Sequence, residues 1–143
     1  MQDATTNHNA RAHGWFSITV DNRVVIIRAF DGWNLEAAKH YSAEMEKTAQ
    51  AMTGAPWAIL SDLTHWALST PEVGEEIAAM AVKLDALGRT HNAIVARDHG
   101  LRQAIVAQAI RTRTQNPVLE FFDDEATALA WLRDCGFESG SDG

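Results

Sequence analysis

The sequence predicts one α/β domain: a five-stranded mixed sheet, mostly parallel, with four helices in the order ββαβαβαβα. Three observations predict it. The chain has 143 residues, 46% hydrophobic and 22% charged, close to the ~150 residues and the composition of one ordinary globular domain. It opens with two strand-like segments that only Asp21-Asn22 separates, and both of these residues tolerate positive φ in a tight hairpin. Beyond the hairpin, short apolar runs alternate with segments of helical period, which calls for crossover connections and parallel pairing.

Phe16, Ile18 and Val20 alternate with Trp15, Ser17 and Thr19, the period-2 pattern of a half-exposed strand. The second strand, Arg23 to Phe30, carries the run Val24-Val25-Ile26-Ile27. Asn34 can cap a first helix in which Leu35, Ala38, Ser42, Met45, Ala49 and Met52 recur at helical spacing before Gly54 and Pro56 end it. Trp57 to Leu60 is short and apolar, as a strand covered on both faces should be, and gives way to the polar stretch Ser61 to Ser69. Thr70 is placed to cap a second helix that starts at Pro71, where a missing amide costs nothing, and Val73, Ile77, Met80, Ala81, Leu84 and Leu87 form its buried stripe up to Gly88. His91 to Arg97 is the fourth strand, with Ile94 in the sheet core. A third helix carries Leu101, Ile105, Val106, Ala109 and Ile110 and stops near Asn116-Pro117. Val118 to Phe122 is the fifth strand. Asp123 or Asp124 caps a last helix that packs Ala128, Trp131, Leu132 and Cys135 and ends at Gly136. Residues 1–14 read as a flexible lead, 15–137 as the domain and 138–143 as a frayed tail.

Charge and cysteine content bound the function. Twelve basic and nineteen acidic residues give a net charge of −7, which disfavours nucleic acid and anionic membranes as partners. The lone Cys135 cannot close an intramolecular disulfide, so a reducing, cytoplasmic setting is expected. No apolar run reaches the ~18 residues of a membrane span. Six histidines at 8, 13, 40, 65, 91 and 99 include no HExxH and no paired cysteines, and neither a metal nor another cofactor is expected. Phosphate-binding glycine loops are missing as well.

Several short patterns carry a resemblance. The opening hairpin, the β-α repeats, Gly32-Trp33-Asn34, Pro56-Trp57-Ala58, Thr70-Pro71-Glu72, and Glu125-Ala126 through Ala130-Trp131-Leu132 resemble the bacterial SpoIIAA-like proteins, related to the STAS domains of anti-sigma-factor antagonists and sulfate transporters. The resemblance covers roughly residues 14–137. It implies a SpoIIAA-like fold that acts through protein contacts or small-ligand binding. Anti-sigma-factor antagonists carry Asp-Ser-Ser-Gly, with a phosphorylatable serine, where this chain has Leu68-Ser69-Thr70-Pro71-Glu72. Ser69 and Thr70 supply hydroxyls, but Pro71-Glu72 replaces the Ser-Gly.

In open α/β sheets, ligands favour the rim beyond the carboxyl ends of the strands. Here that rim gathers Asp31 and Trp33, then Asp62, His65, Trp66, Ser69 and Thr70, then Arg97, Asp98 and His99, with Arg102 following on the third helix. His65 or His99 beside Asp62 could exchange protons, but no nucleophile accompanies them, so no catalytic residue is assigned. The stretch from Arg89 to Arg113 holds five arginines against Asp98 alone, a local +4 that leaves −11 elsewhere. Such segregation suits a partner or an anion.

The expectation is a non-enzymatic regulatory or protein-interaction module, possible as a homodimer, that uses Trp33, Asp62, Trp66, Ser69, Thr70, Arg97, His99 and Arg102. Its alternative is a binding domain for a small amphipathic or anionic ligand, lipid-like or carboxylate, held between the tryptophans and the third helix. A flat apolar rim would favour the first, and a closed concavity the second.

Overall fold

The computed structural model describes residues 4–6, 14–67, 70–112 and 118–138. Its elements are β1 (Ala4–Thr6), β2 (Trp15–Asp21), β3 (Val24–Gly32), α1 (Leu35–Gln50), β4 (Trp57–Ala67), α2 (Pro71–Ala86), β5 (Arg89–Val95), α3 (His99–Thr112), β6 (Val118–Phe122) and α4 (Glu125–Asp134). The strands lie in chain order from β1 to β6. β1/β2 and β2/β3 are antiparallel, and the other pairs are parallel. The five expected strands and four helices are present. In addition Ala4–Thr6, inside the stretch read as a lead, adds a short edge strand against Ser17–Thr19. The hairpin turn sits one residue later than expected, because Asp21 pairs with Val24 and Asn22 takes the left-handed φ of 60°. Asparagine accepts that conformation at little cost.

Sequential strand order decides where the helices go. Each right-handed crossover steps the same way across the sheet, so α1, α2 and α3 fall on one face. α4 feeds no further strand and packs on the other face, against β4, β5 and β6. Two cores result. One joins Phe16, Val25, Ile27, Trp57 and Ile59 to Ala38, Tyr41 and Met45 of α1 and Val73, Met80 and Leu84 of α2. The other joins Val24, Ile26, Leu60, Ala93 and Val95 to Ala128 and Leu132 of α4. Ile94 is buried as expected.

Three local expectations are corrected. β4 runs on to Ala67 through the stretch read as polar loop, because residues Ser61–Ala67 continue the parallel ladder with Ile27–Gly32. Cys135 is exposed at the C-cap of α4 and is not part of its packed stripe. Partial desolvation and the Asp134 charge hold its thiol above the ordinary value, which makes it a poor nucleophile. Along α1 the buried face includes Tyr41, which the spacing from Leu35 had passed over.

The caps behave unequally. Asn34 accepts a hydrogen bond from the Ala37 amide at 2.9 Å, and Asp124 does the same for Thr127 at 2.7 Å. Asn34→Ala is expected to lower stability by about 0.5–2 kcal/mol, read as a lower urea midpoint at unchanged slope. A change in slope instead would point to an altered denatured state and not to a lost cap.

Candidate functional site

Helix α3 is the least embedded of the helices. None of its described side chains is buried, and among the described residues its polar attachments are few. The Leu101 amide donates to Asp98 Oδ2 at 2.8 Å, Gln108 donates to the Gly74 carbonyl at 2.7 Å, and Arg102 donates to the Ala96 carbonyl and to Asp123 Oδ1. The Arg102 guanidinium also lies 5.3 Å from the centre of the Phe121 ring. Small residues on the inner side of α3 and α2 leave space above the sheet.

That space is a cavity of about 220 Å³. Ile27, Ala29, Leu63 and Ile94 of the sheet form its floor, Ile77 and Ala81 of α2 a wall, and Leu101, Ala104 and Ile105 of α3 its roof. Trp33, Tyr41, Trp66, Ser61, Arg89 and Asn92 also line it. The lining is mainly apolar, and two of its polar atoms lack partners. Trp66 Nε1 and Asn92 Oδ1 are buried with no hydrogen bond among the described residues. A buried polar atom left without a partner costs about 1–3 kcal/mol.

Arg89 and Asp85 lie together near the cavity. Nε and Nη2 of Arg89 donate to Asp85 Oδ1 at 3.0 and 2.9 Å, and both side chains are 7% exposed. Burial pushes the Asp85 carboxyl above its ordinary value, with the Arg89 charge only partly opposing it. Burial likewise pushes the Tyr41 hydroxyl up to about 12, against a smaller lowering by Arg89, so Tyr41 remains neutral and able to donate.

The residues expected at the rim are dispersed. Trp33 is 3% exposed; it packs edge-on against Trp66 at 5.7 Å and donates to the Trp15 carbonyl. The glycine at 14, with φ +86°, makes room for it, since a Cβ there would come within 2.5 Å of its ring. The pair of tryptophans therefore closes a concavity and offers no flat contact surface. Asp62 lies with the α4 face of the sheet, where its Oδ1 accepts from Thr64 and the bidentate Arg28–Glu125 pair stands nearby. Burial would raise its carboxyl, but hydrogen bonds with Glu125 and Thr64 and the Arg28 charge outweigh this and hold it below the ordinary value. His65 stacks on Phe30 at 5.8 Å, and His99 is exposed at the start of α3; among the described residues neither is paired with Asp62. Arg97 is exposed and donates to the Asp123 carbonyl. The basic stretch is thus spent on Asp85 and on the β6–α4 turn, as far as its described side chains go. Ser69 and Arg113 lie outside the described residues.

Thr70 departs from its expected role. It is the N-cap of α2 by position, yet its side chain makes no capping bond, and among the described residues its hydroxyl is buried without a partner. Thr70→Val is accordingly expected to leave thermal stability unchanged or to raise it slightly, where a working cap would lose about 0.5–2 kcal/mol.

Tyr41 and Asn92 are the site residues that the sequence did not disclose, and Arg89 was offered only as part of the arginine-rich stretch. Asn92 left one signal. It is a carboxamide two positions from Ile94, on the same strand face as a residue expected in the sheet core.

Among the described residues, no group of three or more His, Cys, Asp and Glu is arranged to hold a metal ion, and no helix is long and apolar enough to cross a membrane. No family model and no curated protein matches the chain. Solved structures do. A DUF3478-family protein with a SpoIIAA-like fold from Shewanella loihica PV-4 superposes with a TM-score of 0.65 at 18% identity, covering 82% of this chain and 93% of that one. The anti-sigma factor antagonist SpoIIAA in its unphosphorylated form gives 0.58 at 17% identity, over 85% of this chain and 99% of that one. The Bacillus cell fate determinant SpoIIAA in its phosphorylated form gives 0.60 at 15% identity, over 82% and 99%. The chain has a SpoIIAA-like fold.

Proposed function

We propose that this chain is a non-enzymatic regulatory module whose input is a small amphipathic ligand, held between the sheet and α3. The observation that carries the reading is the cavity of about 220 Å³, roofed by a loosely attached helix and lined by apolar side chains with unpartnered polar atoms. An engineered apolar cavity of ~150 Å³ takes benzene, so this one has room for roughly nine non-hydrogen atoms. The likeness in fold to an anti-sigma factor antagonist supports the regulatory part. Asp62 and the histidines are not assembled for proton transfer, which supports a role without catalysis.

1-Octanol, at nine non-hydrogen atoms, is a direct probe. Its saturation should raise the melting temperature by several degrees, since a ligand at 100 times its Kd adds about 2.7 kcal/mol, and should alter the emission of Trp33 and Trp66. Ala104→Trp, which fills the cavity from its roof, should abolish both effects. No shift with the wild type, or an equal shift with Ala104→Trp, would refute the site.

A second reading, contact with a protein partner or another copy, is favoured by the outer side of α3. Val106 and Ile110, one turn apart, are 41% and 69% exposed. Under it, sedimentation of the wild type should show a mass that depends on concentration and falls to that of the monomer in Ile110→Glu. A monomer at every concentration would remove self-association.

A further inference from the structure

Tyr41, Arg89 and Asn92 make the cavity chemically selective. Among the described residues Asn92 Oδ1 is buried with no hydrogen-bond partner and presents a free acceptor to the space it lines, and Trp66 Nε1, likewise buried without one, presents a free donor there. The Tyr41 hydroxyl belongs to the same lining and lies close enough to feel the Arg89 charge. The Arg89 guanidinium contributes N–H groups beyond the two spent on Asp85 Oδ1. Donors and acceptors therefore share one cavity, and its remaining surface is mainly apolar.

The charge of the site is already closed. Arg89 lies 2.9 Å from Asp85, each side chain 7% exposed. An anionic head group would bring a second negative charge to one buried cation, and a cationic one a second positive charge to one buried carboxylate. Either leaves a buried charge without compensation, which costs more than the contact returns. An uncharged head that both donates and accepts meets Asn92 and Tyr41 with no such penalty.

From this balance we infer that the ligand is a neutral amphiphile, an alcohol or a carboxamide on an apolar body of about eight carbons, with its head hydrogen-bonded to Asn92 and Tyr41. This inference rests on the cavity being a ligand site, and it departs from the carboxylate that the arginine-rich stretch suggests.

Calorimetric titration of the full chain at pH 7.5 with 1-octanol, octanamide, octanoate and butylbenzene tests it. The alcohol and the amide should bind about tenfold or more tightly than octanoate, and about tenfold more tightly than butylbenzene, which has the bulk without the head. Asn92→Leu should remove the advantage over butylbenzene while leaving butylbenzene affinity within about twofold. Tyr41→Phe deletes only a hydroxyl and keeps the ring, so it keeps the fold if Asn92→Leu does not, and it should narrow the same gap. Octanoate binding best, or butylbenzene equalling the alcohol in the wild type, would overturn the neutral-head inference and leave the cavity reading in place. Affinity gaps unchanged in the folded variants would do the same. Failure of all four compounds to bind would refute the cavity reading itself.

Discussion

Trp57→Ala is expected to lower the unfolding free energy by about 3–5 kcal/mol, the cost of emptying a large aromatic site. Trp57 opens β4, is 0% exposed, and donates its indole N–H to the Leu87 carbonyl at 3.0 Å. It thereby ties the C-terminal end of α2 to the central strand. The truncation leaves both a cavity and an unpaired carbonyl. Against a total stability of ~5–15 kcal/mol for a native domain, this variant should sit near the edge of folding at room temperature. Trp57→Phe separates the two contributions, since it retains most of the volume and loses only the hydrogen bond, for about 1–2 kcal/mol. Urea unfolding of the three proteins provides the comparison. A loss below 1 kcal/mol in Trp57→Ala would mean that the neighbouring side chains collapse into the site, and that the α1–α2 core does not depend on this anchor.

The periodic elements were legible in the sequence because their signals are local. The Phe16-Ile18 alternation, the Asn34 cap and the Pro71 start each state a backbone preference that packing then respects. β4 beyond Leu60 was not legible. Ser61-Asp62-Leu63-Thr64-His65 reads as loop by composition, and what makes it a strand is the ladder to β3, a contact between distant segments. The side on which α4 packs follows from its being the last element, a property of topology that no window of sequence contains.

The candidate site divides along the same line. Trp33 and Trp66 were grouped on one rim, but the sequence could not say whether their rings would turn outward or meet edge-on over a concavity. Asp62 was placed near the histidines by adjacency in the chain, yet strand alternation sends it to the α4 face with Arg28 and Glu125. The arginine-rich stretch looked like an anion site because its nearest acidic partners lie elsewhere in sequence: Asp85 precedes it by one helical turn, and Asp123 follows at the far end of β6. Tyr41 and Asn92 look ordinary in sequence. Asn92 becomes notable only when the fold leaves its Oδ1 without a partner, and Tyr41 only when the fold sets it on the same cavity.

Arg89→Met is expected to show the largest dependence on pH of any single substitution. Burial alone already lifts the Asp85 carboxyl above its ordinary 3.8 even with Arg89 beside it. With the guanidinium replaced by an apolar side chain of similar length, Asp85 is a buried carboxylate whose charge nothing compensates, and at neutral pH the loss should reach about 3–5 kcal/mol. The sign follows from proton counting. A carboxyl whose folded pKa exceeds its unfolded one binds more protons in the folded state, so stability falls as pH rises from 3.8 through the folded value and recovers on acidification. The wild type should show this fall weakly and Arg89→Met steeply. Asp85→Asn, which removes a charge that the fold already disfavours, should cost far less than Arg89→Met at pH 7. Pairing Arg89→Met with Asp85→Leu should restore most of the loss and flatten the profile, since a buried ion pair is often replaced by apolar residues at little cost. Denaturant midpoints at pH 4.5 and 8 for the four proteins decide the matter. If Arg89→Met loses equally at both, Arg89 contributes packing and not charge, and the electroneutrality that excludes ionic ligands from the cavity loses its basis.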